Sequence, residues 1–408
     1  MKRGIIHLHE RFTSLKSNKK DLPWGTLAGI RPTKIPMRLL EGGMSNPEIA
    51  KFMRETYHCS NEKIALAIAV VNQEDDILKQ FNYKNGYSLY IGIPFCPSIC
   101  LYCSFGSHPI KQYEAQVEDY LMALFKEIDF VANTFIGKQL DTIYIGGGTP
   151  TTLSAKQLRK LLGYICQKVD ISKVREFTVE AGRPDTITAE KLEVLATFGV
   201  TRISINPQTM NQETLDIIGR GHTVIEVEEA FVLARQMGFD NINMDLIVGL
   251  PSEDAVKVQH TLKQIKRLNP DSLTIHSLAM KRAARLTLFR DEYESISFEN
   301  SQAIMDMTAT CASDCQMRAY YLYRQKNSAG NFENVGYAKA GKAGIYNILI
   351  MEEKQPIIAV GAGGVTKLVF AEGRRVERVE NVKDVKAYIS RIDEMIERKK
   401  IGIETWLK

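Results

Sequence analysis

Between residues 87 and about 280, short apolar runs alternate with longer stretches that carry apolar residues at helical spacing. The runs at 88–93, 142–146, 176–181, 202–206, 242–248 and 272–276 have the length and β-branched content of buried strands. Helices are predicted near 113–135, 154–169, 188–198, 223–237 and 253–267. Strands and helices alternating in this way imply right-handed crossovers and a parallel sheet. Six such units fall short of a closed eight-stranded barrel. The expected fold is therefore α/β, a partial (β/α)6 barrel over residues 86–285, with functional groups at the C-terminal ends of its strands.

The flanks read differently. Residues 1–85 form a mostly helical region, in which Ser45-Asn46-Pro47-Glu48 caps a helix running to about Tyr57 and Ser60-Asn61-Glu62-Lys63 opens another through Asp76. Leu22-Pro23-Trp24-Gly25 and Gly29-Ile30-Arg31-Pro32-Thr33-Lys34 are turn-rich. After Lys281 the alternation fades. Residues 286–408 are expected to be an α+β domain, with helices at about 297–317 and 382–399 and strands near 319–323, 345–350, 365–370 and 374–379. The segment Glu333–Ala338 reads as a loop.

Composition narrows the class. The 408 residues are 44% hydrophobic and 25% charged, as in ordinary globular proteins. The net charge of +5 is mild, and no basic run interleaved with aromatics points to nucleic acid. No run of about 18 apolar residues predicts a membrane span, and residues 1–20 lack the apolar stretch of a signal peptide, so a cytoplasmic location is expected. Seven cysteines, three of them clustered, suit metal binding or catalysis better than a disulfide framework.

The cluster is Cys96-Pro97-Ser98-Ile99-Cys100-Leu101-Tyr102-Cys103, a C-x3-C-x2-C run directly after the first strand. Three thiolates on a [4Fe–4S] cluster leave one iron open to an outside ligand. Zinc is the competing reading, with His108 as a fourth ligand, and three unrelated buried cysteines is the other. Gly146-Gly147-Gly148-Thr149-Pro150 closes the second strand, where glycines let backbone approach a ligand. Glu180 and Asp245 end otherwise apolar strands, which is costly unless they face a polar cavity, and Gln208 follows the fourth strand. Cys59, Cys166, Cys311 and Cys315 read as core residues. Lys281-Arg282-Ala283-Ala284-Arg285 is either a solvated loop or a clamp for carboxylates.

The cysteine spacing after the first barrel strand, with the glycine segment one unit later, resembles the radical SAM superfamily. That resemblance implies that the open iron chelates the amino and carboxylate groups of S-adenosylmethionine (SAM), whose reductive cleavage yields a 5′-deoxyadenosyl radical. Residues 90–103, the glycine segment, Val200-Thr201-Arg202-Ile203-Ser204, Asp245-Leu246-Ile247-Val248-Gly249-Leu250-Pro251 and Gly361-Ala362-Gly363-Gly364 resemble the oxygen-independent coproporphyrinogen III oxidases. Leu22-Pro23-Trp24-Gly25, His276-Ser277-Leu278-Ala279-Met280-Lys281-Arg282 and Tyr321-Leu322-Tyr323-Arg324-Gln325-Lys326-Asn327 look like the HemZ-type branch.

Carried over to this chain, the resemblance implies two SAM molecules side by side. Tyr90, Gly147 and Glu180 fall at the first, and Tyr102, Gly148, Thr149, Gln208, Arg220, Asp245 and Ala279 at the second. The implied activity is oxidative decarboxylation of coproporphyrinogen III to protoporphyrinogen IX in porphyrin and haem biosynthesis. Two propionates become vinyl groups, an external acceptor takes electrons, and a flavodoxin- or ferredoxin-type donor reduces the cluster. A sister branch of haem chaperones carries His-Asn-x-x-Tyr-Trp, where this chain has Glu333-Asn334-Val335-Gly336-Tyr337-Ala338. An imidazole suits haem iron and a carboxylate suits it poorly, although Tyr337 remains a possible ligand type. A chaperone role, or radical chemistry on another tetrapyrrole, are the alternative readings.

Overall fold

A computed structural model describes residues 23–27, 29, 31–104, 106–279, 298–325, 328, 330 and 332–407. Three helices come first, α1 (Lys34–Glu41), α2 (Asn46–Tyr57) and α3 (Asn61–Leu78). Ser45 and Glu48 form a capping box on α2, and the Ser60 hydroxyl accepts from Lys63 N at the start of α3. Helix α1 follows the turn-rich stretch directly. Its apolar Ile35, Met37, Leu39 and Leu40 pack on the core, and Pro36 sits in its first turn, where a missing N–H costs little.

The six expected units follow, with the ribbon β2 (Phe95–Cys96) and β3 (His108–Pro109) inserted after the first strand. They are β1 (Gly86–Ile93), α4 (Val117–Thr134), β4 (Gln139–Gly147), α5 (Ala155–Lys168), β5 (Glu176–Glu180), α6 (Ala189–Thr197), β6 (Arg202–Ser204), α7 (Gln212–Ile217), α8 (Val224–Gln236), β7 (Ile242–Val248), α9 (Ala255–Leu268) and β8 (Ser272–Ser277). Neighbours from β1 and β4 through β8 are parallel. Strand β1 is buried at nearly every position, as a parallel strand covered on both faces must be.

The sheet continues past both ends of this core. After α10 (Gln302–Asp314) come β9 (Arg318–Arg324), β10 (Glu333–Ala338), α11 (Ile345–Glu352), β11 (Ile357–Val360), β12 (Val365–Phe370), β13 (Arg375–Glu380), α12 (Val385–Ser390) and α13 (Ile392–Leu407). Strand β11 pairs parallel with β1, while β10 runs antiparallel to β8. The result is an eleven-stranded mixed sheet in the order β13-β12-β11-β1-β4-β5-β6-β7-β8-β10-β9. Strands from beyond residue 286 thus extend the core sheet at both edges.

Several expectations for this last third are corrected. Residues 345–350 form helix α11, not a strand. Its sequence Ile-Tyr-Asn-Ile-Leu-Ile-Met-Glu is β-prone but apolar on all sides, and burial of Tyr346, Ile348 and Leu349 overrides propensity. Glu333–Ala338 is strand β10 and not a loop. Gly336 lies opposite Tyr321, and a Cβ there would fall 1.9 Å from the Tyr321 ring, so the glycine is what lets the aromatic lie across the strand. The helix expected over 382–399 is divided at Arg391 into α12 and α13. The cluster Lys281-Arg282-Ala283-Ala284-Arg285, together with Leu22, Met280, Lys326 and Asn327, lies outside the described residues.

One apolar core joins these parts, from Trp24, Met53 and Ile64 through the sheet to Met395 and Ile403. Helix α13 is pinned to α4 by a fully buried pair, Lys399 Nζ to Glu127 Oε1 at 2.8 Å, to which Asn381 and Tyr388 also donate. Among the described residues no helix is long and apolar enough to cross a membrane.

Candidate functional site

Where β1 ends, the chain turns into the β2–β3 ribbon, which sets Cys96 opposite Pro109. The loop beyond is tied down at both ends, by Leu101 N donating to Ile218 O at 2.9 Å and His108 N donating to Pro94 O at 2.8 Å. Cys96 Sγ lies 3.5 Å from Thr149 Oγ1. Cys100 Sγ faces two guanidiniums, Arg220 Nη1 at 3.8 Å and Arg183 Nη1 at 3.9 Å. Burial pushes the Cys96 thiol up, and the nearby sulfurs of Cys103 and Cys100 add to this.

The donor chemistry fits a [4Fe–4S] cluster: three cysteines of one loop, with cationic N–H groups aimed at a sulfur that would carry negative charge. A single zinc ion fits less well. His108 turns its Nε2 to the Lys383 carbonyl at 3.4 Å and its ring edge to Tyr113. Among the described residues no three His, Cys, Asp or Glu side chains form a set that could hold one ion.

The glycine segment wraps beneath this loop. Gly148 N donates to Ile93 O at 2.8 Å and Thr149 N to Phe95 O at 2.7 Å. A Cβ on Gly148 would lie 2.5 Å from the Phe95 carbonyl oxygen, so this approach requires glycine. Gly147 has φ +108, and its would-be Cβ lies 3.2 Å from the Tyr90 hydroxyl. Tyr90 itself stands behind the cavity wall, stacked on Tyr144 at 6.1 Å and Tyr346 at 6.4 Å.

The two strand-end carboxylates meet in this cavity with different environments. Glu180 accepts from the Tyr144 hydroxyl at 2.5 Å and from Gly147 N at 3.3 Å. Burial nevertheless pushes its carboxyl up to about 7, against the Tyr144 hydrogen bond and with help from the charge on Asp245. For Asp245 burial also acts upward, but His276, Asn243 and Thr274 outweigh it and hold the carboxyl below its ordinary range. Asn243 Nδ2 donates to Asp245 Oδ1 at 2.7 Å.

Arg220 is buried and fixed by four acceptors. Its Nη1 reaches the Tyr102 hydroxyl at 3.1 Å as well as Cys100, and its Nη2 donates to Gly182 O at 2.8 Å and Asn206 O at 2.5 Å. Gln208 occupies a left-handed backbone position, φ +69, where its N–H donates to Asp245 O and its carbonyl accepts from Ile247 N. Gln208 lines the cavity. Its Oε1 is buried without a hydrogen-bond partner among the described residues. A buried orphan acceptor on a cavity wall is what a missing ligand leaves behind.

Every residue expected at the cluster or at SAM, Tyr90 excepted, lines one cavity of about 220 Å³ at the C-terminal ends of the parallel strands. Arg183 and Asn206 line it too and are not among the expected site residues, and His276, Tyr323 and Gln325 appear in the sequence analysis only as parts of longer matching segments. Tyr144 is also new, as the hydroxyl that holds Glu180. These come from separate strands with no shared spacing. Only Arg183, flanked by Gly182 and Pro184 three residues after Glu180, and the aromatic run of β9 offered a local signal.

The profile of the radical SAM superfamily matches residues 90–265. The chain is 41% identical over 382 residues to the oxygen-independent coproporphyrinogen-III oxidase-like protein HemZ of Bacillus subtilis (strain 168), covering 92% of this chain and 76% of that one. It is 34% identical over 320 residues to the heme chaperone HemW of the same organism, covering 75% and 76%. The solved structure of coproporphyrinogen III oxidase (HemN) from Escherichia coli superposes with a TM-score of 0.61 at 23% identity, over 77% of this chain and 71% of that one.

Proposed function

The chain belongs to the radical SAM superfamily and, within it, to the oxygen-independent coproporphyrinogen III oxidase family, and from that premise we propose that it decarboxylates coproporphyrinogen III to protoporphyrinogen IX. The family implies a [4Fe–4S] cluster and SAM. In our reading Cys96, Cys100 and Cys103 hold the cluster. Tyr90, Gly147 and Glu180 serve one SAM, and Tyr102, Gly148, Thr149, Gln208, Arg220, Asp245 and Ala279 a second. When bound, these groups supply abstraction of a hydrogen atom from the β-carbon of a propionate, after which CO2 and one electron leave and a vinyl group remains.

The residues of the chain then have distinct tasks. Arg220 and Arg183 lower the cost of negative charge on Cys100. Glu180 and Gln208 offer acceptors to ammonium or hydroxyl groups, and the Gly147–Gly148 backbone admits a ligand to close range. The glycine segment, the cysteine loop and the strand ends together shield the reacting groups from bulk water. A flavodoxin- or ferredoxin-type donor and a cytoplasmic setting belong to the same reading.

The observation that favours the decarboxylase over the haem chaperone is the state of the β10 segment. Glu333, at the place of the chaperone histidine, is buried and has each oxygen engaged inside the protein, Oε1 by Lys63 Nζ at 2.6 Å and Oε2 by Trp24 Nε1 at 2.8 Å, so it serves as a structural counter-ion. Tyr337 is packed in the apolar core. Anaerobic turnover of coproporphyrinogen III with SAM and a reductant, read by product mass, tests the decarboxylase. Haem titration of the same sample tests the chaperone.

A further inference from the structure

After Glu180 the segment Gly182-Arg183-Pro184-Asp185-Thr186 leaves β5 and makes a short 3-10 turn over Pro184–Thr186. Proline fixes the backbone angle at the start of that turn. Thr186 closes it, donating from N and from Oγ1 to the Arg183 carbonyl at 3.0 and 2.7 Å. The turn brings Asp185 back against Arg183. Its carboxylate takes one edge of the guanidinium, with Nε donating to Oδ1 at 2.9 Å and Nη2 to Oδ2 at 2.8 Å. The remaining nitrogen, Nη1, faces the cysteine loop, 3.1 Å from Ser98 Oγ and 3.9 Å from Cys100 Sγ. Ser98 Oγ in turn donates to Gly219 O at 3.2 Å. The Arg183 side chain is 4% exposed and that of Asp185 20%, so the guanidinium lies toward the sulfur and the carboxylate toward solvent.

Arg220 meets the same sulfur in a different way. Its other acceptors are the oxygens of Gly182, Asn206 and Tyr102, and no carboxylate pairs with it among the described residues. The charge that Arg220 presents to Cys100 is therefore unopposed, whereas that of Arg183 is opposed by Asp185 from the far edge. Arg183 and Asp185 together form an oriented dipole with its positive end on the sulfur. Such a dipole matters for a cluster held through Cys100. One added electron increases the negative charge shared by irons and sulfurs, and N–H groups and positive potential at a sulfur favour that reduced form. Burial of the guanidinium leaves little water to screen it. The two halves of the pair thus act in opposite directions, the guanidinium favouring the electron and the carboxylate disfavouring it.

We propose that Arg183 is a positioning residue that sets the reduction potential of the cluster through Cys100, that Asp185 opposes it, and that the pair fixes how strong a one-electron reductant the protein needs. This rests on the cluster reading and deepens it. The test uses the full chain, reconstituted with iron and sulfide without oxygen and kept free of SAM. The midpoint potential is read from the electron paramagnetic resonance signal of the reduced cluster. Arg183→Met, similar in length but without charge or N–H groups, should lower the equilibrium constant for reduction roughly tenfold, a downward shift of about 59 mV for one electron. Arg183→Lys keeps the charge and loses the fork, and should fall between that variant and wild type. Asp185→Asn keeps an acceptor and removes the opposing charge, and should shift the potential upward. A merely structural role does not give shifts of opposite sign, since loosening the loop by either change opens the cluster to water alike. The proposal is overturned if Arg183→Met changes the constant by less than about twofold, or if Arg183→Met and Asp185→Asn shift the potential in the same direction. If Arg183→Met does not fold or hold iron, Asp185→Asn carries the test alone: an upward shift supports the proposal, and no shift or a downward one overturns it. Wild-type protein without a reducible four-iron signal would overturn the cluster reading and this proposal with it. A normal signal that neither variant moves overturns this proposal alone, so the two failures are told apart.

Discussion

Lys63 Nζ meets Glu333 Oε1 at 2.6 Å inside the protein, with only 4% and 1% of the two side chains exposed. The pair links helix α3 to strand β10 across 270 residues of chain. Trp24 Nε1 completes the carboxylate at 2.8 Å, so the N-terminal segment, α3 and the far edge of the sheet share one buried charge. Removing one member strands the other. Glu333→Ala is expected to destabilise the protein by about 3–5 kcal/mol, which denaturant unfolding will show. A loss below about 1 kcal/mol would mean that the pair is open to water in solution.

The cysteine assignment predicts a sharp division among seven thiols. Ala at Cys96, Cys100 or Cys103 should remove iron from anaerobically prepared protein, together with its charge-transfer absorbance. Ala at Cys59, Cys166, Cys311 or Cys315 should leave both unchanged, because these sit singly or pairwise in helical and core positions away from the cavity. Iron analysis decides it. Zinc retained in place of iron after anaerobic reconstitution would contradict the assignment.

Glu180 gives SAM binding a pH dependence of definite sign. Burial holds its carboxyl near 7, so it gains a proton as pH falls through that range and ceases to be a charged acceptor. SAM affinity should therefore weaken on the acid side of about 7. Glu180→Gln should bind SAM weakly and without that pH dependence, its iron content intact. Asp245→Asn should also weaken SAM binding, although the wild-type Asp245 stays ionised through the same range. Isothermal titration between pH 6 and pH 8.5 reads both, and a flat wild-type profile would contradict the role given to Glu180.

Glu74 predicts an opposite effect, on stability. It is buried in α3, neither oxygen has a hydrogen-bond partner among the described residues, and burial followed by the charge on Glu352 pushes its carboxyl well above the usual range. The folded state keeps the proton that the unfolded chain releases above about pH 4.3. This contribution to stability is therefore lost progressively as pH rises from there toward the folded value. Glu74→Met, similar in volume and without the carboxyl, should raise stability at pH 8 by about 1–3 kcal/mol and by less at pH 5. Equal gains at both pH values would show that Glu74 is not the group responsible.

How much of this was legible in the sequence follows from how local each signal is. Strand β7 was expected at 242–248 and is found at Ile242–Val248, because a β-branched run between two amphipathic helices has few other readings. Helix α11 was misread because Ile345, Ile348 and Ile350 favour strands, and nothing local reveals that Tyr346 will stack on Tyr144 at 4.4 Å. Strand β10 was hidden by Gly336, whose role depends on Tyr321 of the neighbouring strand. The same rule governs the site. The cysteines and glycines are spaced within a few residues and stood out. Arg183, Asn206, Tyr323 and Gln325 are joined to them only by the order of the strands, so they became visible in the fold.

The central claim is the reaction, and one measurement addresses it directly. Protein reconstituted with iron and sulfide is incubated without oxygen with SAM, a reductant, an electron acceptor and coproporphyrinogen III, and the porphyrin products are weighed by mass spectrometry. The account predicts a product lighter by two carboxyl groups, reached through a monovinyl intermediate, with one 5′-deoxyadenosine formed for each CO2 because each propionate needs its own hydrogen abstraction. Tight stoichiometric haem binding with no decarboxylated product, the cluster being reduced and SAM intact, would contradict it.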